Sequence, residues 1–550
     1  MTKLPRLIFN TDGNWMLFYL PGRNPDDVTH QLDELVPAGV DALAGLIGID
    51  DDVVWRGSPH SAMWGDETEV WDPDPDVDAD GKPVRKMTSG GFELNRLEQL
   101  YNCMDAVIAD GRELMQVYID GCRRHGIAAI ASMRMNDAHT SDEAREWQVR
   151  SRHKKSRPDL LIGSPTPTRA GGADRWNFCW QWDYEQEEVR NRFLGLVDET
   201  LERYDFDGIE LDWMRGPPYF RPGRLLDNLR LSSGRSLDIL TEFMRQAHAI
   251  VRRHSERKGK AISLLTRVPP CLAEARGIGI DATAWIREPV ADLFVLSSAS
   301  YCPARIDIAE AVACAEESKV PIYVGFDGAT HLTSPHEGYE RGVPAVLRGV
   351  ALNGYEQGAA GVYILNYDYR HHRASPFEEE EYNEDHLNLL TDLTDPERLA
   401  RRDRSYSVSD SALGGVVQHT PGDHYPQVPR ALSMPARATG GLGYEMTLII
   451  EDDIEAGLAD GRILGTELRL HLTDYEACMD RIFCRINGRA VSLAGATKLE
   501  NELGSWLVVK DPPIQRGENF VLLGLDGLQT PDPWPMLHQC EVMVLGCDSA

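Results

Sequence analysis

Residues 204–219 read YDFDGIELDWMRGPPY, and the reading of 208–213 decides the fold. The stretch follows a segment whose apolar residues Val189, Phe193, Leu196, Val197 and Leu201 recur at helical spacing, so it begins where an amphipathic helix ends. Read as a strand, its side chains alternate between faces. Glu210 and Asp212 then share one face, while Ile209, Leu211 and Trp213 share the other. A bulky apolar face suits the helix layer of a parallel barrel, and a carboxylate face suits its lumen. Buried carboxylates carry a partner or a task. One reading is an ion pair with Arg215 or Arg267; the other is an active site, which the rest of the chain favours.

Working outward, seven further short apolar runs fall at 6–10, 40–48, 127–134, 261–267, 292–298, 320–326 and 361–366. Helix-period segments at 94–125, 185–204, 236–257, 306–318, 340–357 and about 380–391 separate most of them. Eight strands alternating with helices predict a (β/α)8 TIM barrel over residues 1–400. Two insertions interrupt it, at 53–91 and 139–183. The first contains WDPDPDVDADG, where Asp76, Asp78, Asp80 and Gly81 are spaced like the start of a calcium loop. Met87 stands where that loop needs a bidentate Glu, so 72–81 is read as a solvated acidic loop. The second holds Trp147, Trp176, Trp180 and Trp182. Long barrel loops belong to the catalytic face, where such rings either stack on sugars or pack on the rim.

Beyond a linker region at 394–429 the pattern changes. Alternating runs at 445–451, 466–472, 481–486, 505–509, 519–523 and 539–545, with turn signals at Asp460-Gly461 and Asn487-Gly488, predict an antiparallel β-sandwich over 401–550. Two cores suit a chain of 550 residues. Asp and Glu number 87 against 57 Lys and Arg, a net charge of −30 that argues against a nucleic-acid partner. No run approaches the roughly 20 apolar residues of a membrane helix. The opening MTKLPRLIFN enters a strand with no signal-peptide pattern, so a cytoplasmic protein is expected. Ten Cys without a CxxC pair read as reduced buried thiols, with no metal site and no cofactor expected. A homo-oligomer is allowed by the sequence but not specified.

Active sites of this fold lie at the C-terminal ends of the strands. The first strand ends toward Asn10, Asp12 and Trp15, and the third toward Arg134, Asn136 and Asp137. The fourth ends in Glu210, Asp212 and Arg215, and the fifth in Arg267, with Glu274 on the next loop. The sixth leads to Ser298, Ser300 and Tyr301, the seventh to Asp327, and the eighth to Asn366 and Asp368. Acids, amides and guanidinium groups together suit a polyhydroxylated ligand, because hydroxyls need both donors and acceptors. A carbohydrate substrate is the expected partner. Asp212, Asp327 and Glu210 are the expected catalytic residues, and Asn10, Asp12, Trp15, Arg134, Asn136, Arg215, Arg267, Tyr301, Asn366 and Asp368 are expected to bind substrate.

Carried by these residues, YDFDGIELDWMR, the FNTDG opening strand and the C-terminal sandwich resemble the glycosyl-hydrolase-like family-10-type proteins. DGIELD also resembles the DGxDxDxE strand of family-eighteen chitinases. Glu210 and Asp212 fall on the two Asp positions of that motif, and Met214 stands where the catalytic Glu would. The resemblance implies a sugar-handling barrel with carboxylates on its fourth strand. It does not imply substrate-assisted chitinase chemistry, whose proton donor is missing. DRIFCRINGRAV at 480–491 resembles the galactose-binding-like jelly rolls appended to glycosidases.

Glycoside hydrolysis needs two carboxyl groups flanking the bond, at about 5 Å for retention and roughly 6.5–9.5 Å for inversion. Glu210 and Asp212 lie about 6–7 Å apart along the strand by its rise per residue. Asp212, nearer the mouth, is expected to act directly, with Asp327 across the mouth as its partner and Glu274 in reserve. Glu210 sits deeper, where a neighbouring acid and burial raise its pKa or where it holds Arg134 or Arg267. A glycoside hydrolase is the expected function. A metal-dependent sugar isomerase or lyase would need a His and carboxylate cluster, for which His139 and His331 are the candidates. A non-catalytic carbohydrate-binding protein on the same barrel is the third reading.

Overall fold

The structure is a computed structural model. It describes residues 3–11, 31–49, 51–64, 92–137, 151–163, 181–217, 219–221, 234–297, 306–328, 344–365, 367, 384–409, 444–501, 504–527 and 531–548. Eight strands close a parallel barrel: β1 Leu7–Asn10, β2 Ala42–Leu46, β3 Ala128–Arg134, β4 Gly208–Asp212, β5 Ser263–Val268, β6 Leu293–Ser297, β7 Ile322–Asp327 and β8 Gly361–Leu365. Each pairs with the next in sequence, and β8 returns to β1. All eight expected runs are there, because a parallel strand buried on both faces shows as a nearly continuous apolar segment such as ALAGL or GVYIL.

Period two sorts the two faces. Ile209, Leu211 and Trp213 join the core beneath the helices. Trp213 packs among Tyr184, Tyr219, Phe243 and Trp285, with ring centroids 4.9 to 6.1 Å away. Ile8, Ala42, Ile130, Leu265, Leu293 and Tyr323 fill the lower lumen as a separate apolar plug. Above that plug the lumen turns polar.

The helix layer includes α1 Phe92–Ala109, α2 Leu114–Arg124, α3 Glu187–Arg203, α4 Arg235–Lys258, α5 Pro344–Glu356 and α6 Glu384–Asp392. The single helix expected at 94–125 is two. Gly111 adopts φ +75 between them and Glu113 is extended, so the chain turns where only glycine is unstrained. Part of the first insertion folds back on α3. Arg192 pairs with Asp51, while Trp55 Nε1 and Ser58 Oγ donate to Glu199 at 2.8 and 2.6 Å. The acidic loop 72–81 lies outside the described residues.

The C-terminal region forms two antiparallel sheets. Strands β9 Arg404–Ser409, β10 Tyr444–Ile450, β11 Ile463–Thr473, β12 Ile482–Ile486, β13 Arg489–Val491, β14 Thr497–Asn501, β15 Gly504–Lys510, β16 Gly517–Leu525 and β17 Met536–Gly546 arrange as β9-β17-β11-β15-β14 and β10-β16-β12-β13. Asn487 and Gly488 both take positive φ, 51 and 78, and make the expected hairpin between β12 and β13. Asp460-Gly461 is not a hairpin turn: Gly461 ends the helix Ile454–Asp460 in a left-handed cap. Asn353 of α5 joins barrel to sandwich, donating to the Ile449 carbonyl and accepting from the Glu451 amide, both at 2.9 Å.

Cys122, Cys478, Cys484 and Cys540 are buried free thiols, and burial pushes Cys122 and Cys484 up to about 12. Cys271 departs from the expectation of buried thiols; it is exposed just beyond β5. Among the described residues no helix is long and apolar enough to cross a membrane.

Candidate active site

Strand register brings the charged residues of the upper lumen side by side. Arg134 on β3 lies beside Asp212 on β4, and Asp212 lies beside Arg267 on β5. Their like facing follows from period two, since in-register neighbours on parallel strands point the same way. Arg267 Nη1 donates to Asp212 Oδ2 at 2.9 Å, and the Met214 amide donates to Asp212 Oδ1 at 2.7 Å. Both members of this ion pair are almost wholly shielded from solvent. Of the two expected cations, Arg267 is thus the partner; Arg215 is buried in the loop beyond β4. Burial works against the charge of Arg267, but Asp212, Tyr363, Glu210 and Asp327 outweigh it and raise its pKa.

Glu210 lies one step deeper and is completely buried. Tyr363 Oη donates to its Oε1 at 2.7 Å, and Asn10 Nδ2 donates to its Oε2 at 3.1 Å. Asn10 Nδ2 also reaches Tyr363 Oη at 2.6 Å and Ser132 Oγ at 3.2 Å. Burial raises the Glu210 carboxyl from 4.5 to about 7, and the charge of Asp212 adds to the rise. The hydrogen bond from Tyr363, the charge of Arg267 and Ser132 pull the other way. Tyr363 is pushed far above the ordinary phenol range by burial and by Glu210. Its hydroxyl therefore serves as a donor.

Asp327 closes β7, is buried, and adds its charge to those facing Arg267. Arg134 is paired with Asp137 of its own loop in a buried contact. Asn136 binds the chain at Trp182 through both ends of its amide. Oδ1 accepts from the Trp182 amide at 2.9 Å, and Nδ2 donates to the Trp182 carbonyl at 3.3 Å. Gly216 lets the loop after β4 rest on this segment; a Cβ there would stand 2.6 Å from the Asn136 carbonyl carbon. Asn136 thus ties together the two ends of the loop after β3, and the loop after β4 rests on its backbone.

Trp182, one of the rings considered for sugar stacking, is fully buried. His153 stacks on it at 5.7 Å and Lys154 Nζ lies 5.0 Å from its ring centre, so its faces are used within the protein. Asp12, Trp15, Tyr301, Asn366 and Asp368 lie outside the described residues, as do Ser298, Ser300, His139, His331, Trp147, Trp176 and Trp180. Glu274 falls in the short helix Leu272–Gly277. Among the described residues no group of three or more His, Cys, Asp or Glu is placed to hold a metal ion. Tyr363 and Ser132 are members of the site that sequence reading passed over. Alternation along β8, which puts Tyr363 on the lumen face with Leu365, is the signal that finds the first.

No protein-family model matches the sequence, and no curated protein matches it. Solved structures with similar folds include the α-L-fucosidase isoenzyme 2 from Paenibacillus thiaminolyticus, at 11% identity and TM-score 0.39. That match covers 74% of this chain and 52% of the fucosidase, so the chain spans about half the length of that enzyme. The PgaB (BpsB) glycoside hydrolase domain from Bordetella bronchiseptica matches at 10% identity and TM-score 0.39, covering 72% of this chain and 98% of the domain. The catalytic domain of the β-amylase from Paenibacillus polymyxa matches at 9% identity and TM-score 0.39, over 70% of this chain and 96% of the domain. Likeness at this level assigns no activity to the chain.

Proposed function

We propose that the chain is a glycoside hydrolase acting on an oligosaccharide or small glycoside through carboxylates in the upper lumen. One observation carries the reading: Glu210 and Asp212 project into a closed barrel at its C-terminal end, around a buried Arg267 that Asp327 also faces. An oxocarbenium-like transition state develops positive charge at the anomeric carbon, and carboxylates fixed beside it stabilise that charge. Asp212, held by Arg267 and the Met214 amide, is oriented to stand on one side of the bond. Asp327 is the partner from β7 that would exchange a proton with the leaving oxygen or with water. Glu210 lies beneath Asp212 as a protonatable support.

The guanidinium groups bear on the sugar. Arg267 is committed to Asp212 and Arg134 to Asp137. A neutral glycoside is therefore proposed in preference to an acidic or sulfated one, whose charge would meet the lumen carboxylates.

The test is sugar release from a panel of neutral and acidic oligosaccharides, with product anomers followed by NMR. Wild type runs beside Asp212→Asn and Asp327→Asn, each checked for fold by near-UV circular dichroism. Loss of turnover by several orders of magnitude in both variants supports the assignment, and the first anomer formed gives the stereochemistry. Unchanged turnover in Asp212→Asn sinks it. A second reading, a non-catalytic carbohydrate-binding barrel, is favoured by the internal hydrogen bonds that occupy both oxygens of Asp212 and of Glu210. Saturable binding of a sugar with no release would select it.

A further inference from the structure

We propose that Tyr363 is the positioning residue of this site, holding Glu210 through its hydroxyl and the Arg267–Asp212 pair through its ring. The inference rests on the reading of Glu210 and Asp212 as the working carboxylates of the lumen. Tyr363 is the middle residue of β8, and β8 stands opposite β4 in an eight-stranded ring. Its side chain therefore crosses the lumen to reach Glu210, which lies 153 residues away in sequence.

The hydroxyl is used in both directions. Oη donates to Glu210 Oε1 at 2.7 Å and accepts from Asn10 Nδ2 at 2.6 Å, while the same Nδ2 donates to Glu210 Oε2 at 3.1 Å. Tyr363, Asn10 and Glu210 thus form a closed triangle, and the carboxyl cannot rotate without breaking two of its bonds. The ring supplies the second contact: the Arg267 guanidinium carbon lies 5.9 Å from its centre, within cation–π range. Arg267 in turn donates to Asp212. One side chain therefore touches the deeper carboxyl directly and the outer one through a single cation.

The other groups facing Glu210 are Asp212 on its own strand, Ser132 on β3, Asn10 on β1 and Arg267 on β5. Asp327 on β7 bears on it through Arg267. Tyr363→Phe keeps the ring and removes only the hydroxyl; of these groups only Asn10 loses a bond by it, and Asn10 still donates to Glu210 Oε2. Tyr363→Leu removes both contacts. A tyrosine that only filled space would tolerate Phe with no change in the protonation of Glu210.

The experiment is an infrared pH titration of the Glu210 carboxyl in the whole chain, with its band assigned as the one lost in Glu210→Gln. The phenol donates to the carboxyl and favours its charged form, so Tyr363→Phe is expected to move the midpoint to higher pH by about one unit. Where turnover is measurable, the corresponding limb of the kcat profile moves the same way, with KM little changed. Tyr363→Leu, which also frees Arg267, is expected to lower kcat further than Phe does. An unchanged midpoint in folded Tyr363→Phe overturns the proposal. Absence of any glycoside turnover in wild type would overturn the hydrolase reading alone, since the titration needs no substrate. If the Leu variant fails to fold, the Phe variant decides.

Discussion

At Glu210 a carboxyl stands where no solvent reaches it, and the consequence is a pH-dependent stability with a definite sign. Its pKa is raised from 4.5 to about 7, so the native state holds a proton that the unfolded chain has already released. The stability this group contributes is fully present below pH 4.5 and is lost as pH rises through about 7. Glu210→Gln has no proton to lose. Its stability relative to wild type is expected to rise by about 3 kcal/mol across that window and then stay level. Denaturant midpoints at a series of pH values measure this, and parallel curves for the two proteins would refute it. Arg267 is the converse case. Arg267→Met removes the cation on which the charges of Asp212, Glu210 and Asp327 act and leaves Asp212 buried without its partner, and a loss of about 3–5 kcal/mol is expected from the same measurement. The sequence told which way Glu210 and Asp212 point, because alternation on one strand is local. It left Arg215 and Arg267 as equal candidates for the ion pair, because the choice depends on how β4 pairs with β5, 55 residues further on.

At the scale of elements, β4 works because its two faces are held by different chemistry. The lumen face carries the carboxylates, and the outer face ends in Trp213, packed edge-on against Tyr219 and Phe243. Truncating that ring leaves a cavity under the strand that presents the site. Trp213→Ala is expected to cost about 3–5 kcal/mol and to reduce activity as well, whereas Trp213→Phe keeps most of the packing and loses less. Chemical denaturation beside the sugar-release assay checks both; an Ala variant as stable as wild type would show that the cluster does not support the strand. Elements with long apolar runs were readable in the sequence, and those whose signal was diluted were not. The helix pattern at 94–125 continues in phase through Asp110 and Gly111, so periodicity alone carried it across a real break. In β9, RSYSVS, Tyr406 and Val408 point into the sandwich core and Ser405 and Ser407 away from it. That is a strand pattern, but so short and serine-rich that it passed for linker.

For the whole molecule, α5 is the element that decides whether barrel and sandwich behave as one body. A helix on a barrel surface normally keeps a polar outer stripe, yet α5 is buried from Val346 through Gly354 without interruption. Its two sides meet different partners. At Gly354 a Cβ would stand 2.5 Å from Val324 Cγ1 of β7, and at Gly349 it would intrude on the Ser405 carbonyl of β9. Glycine at both positions lets the helix lie directly on a barrel strand and on a sandwich strand. Around this contact, Arg348 of α5 pairs with Asp392 of α6, Arg404 of β9 pairs with buried Asp452, and Asn353 binds the backbone at Ile449 and Glu451. Interfaces this closely packed transmit unfolding from one core to the next, so calorimetry of the intact chain is expected to show one transition. Gly349→Val forces α5 away from β9 and leaves the Asn353 bonds stretched. It is expected to split that transition in two, or to lower its midpoint by several degrees, while sugar release at low temperature is retained because the lumen lies on the other side of β7. A single, unshifted transition in Gly349→Val would mean that the two cores are joined by something other than this helix.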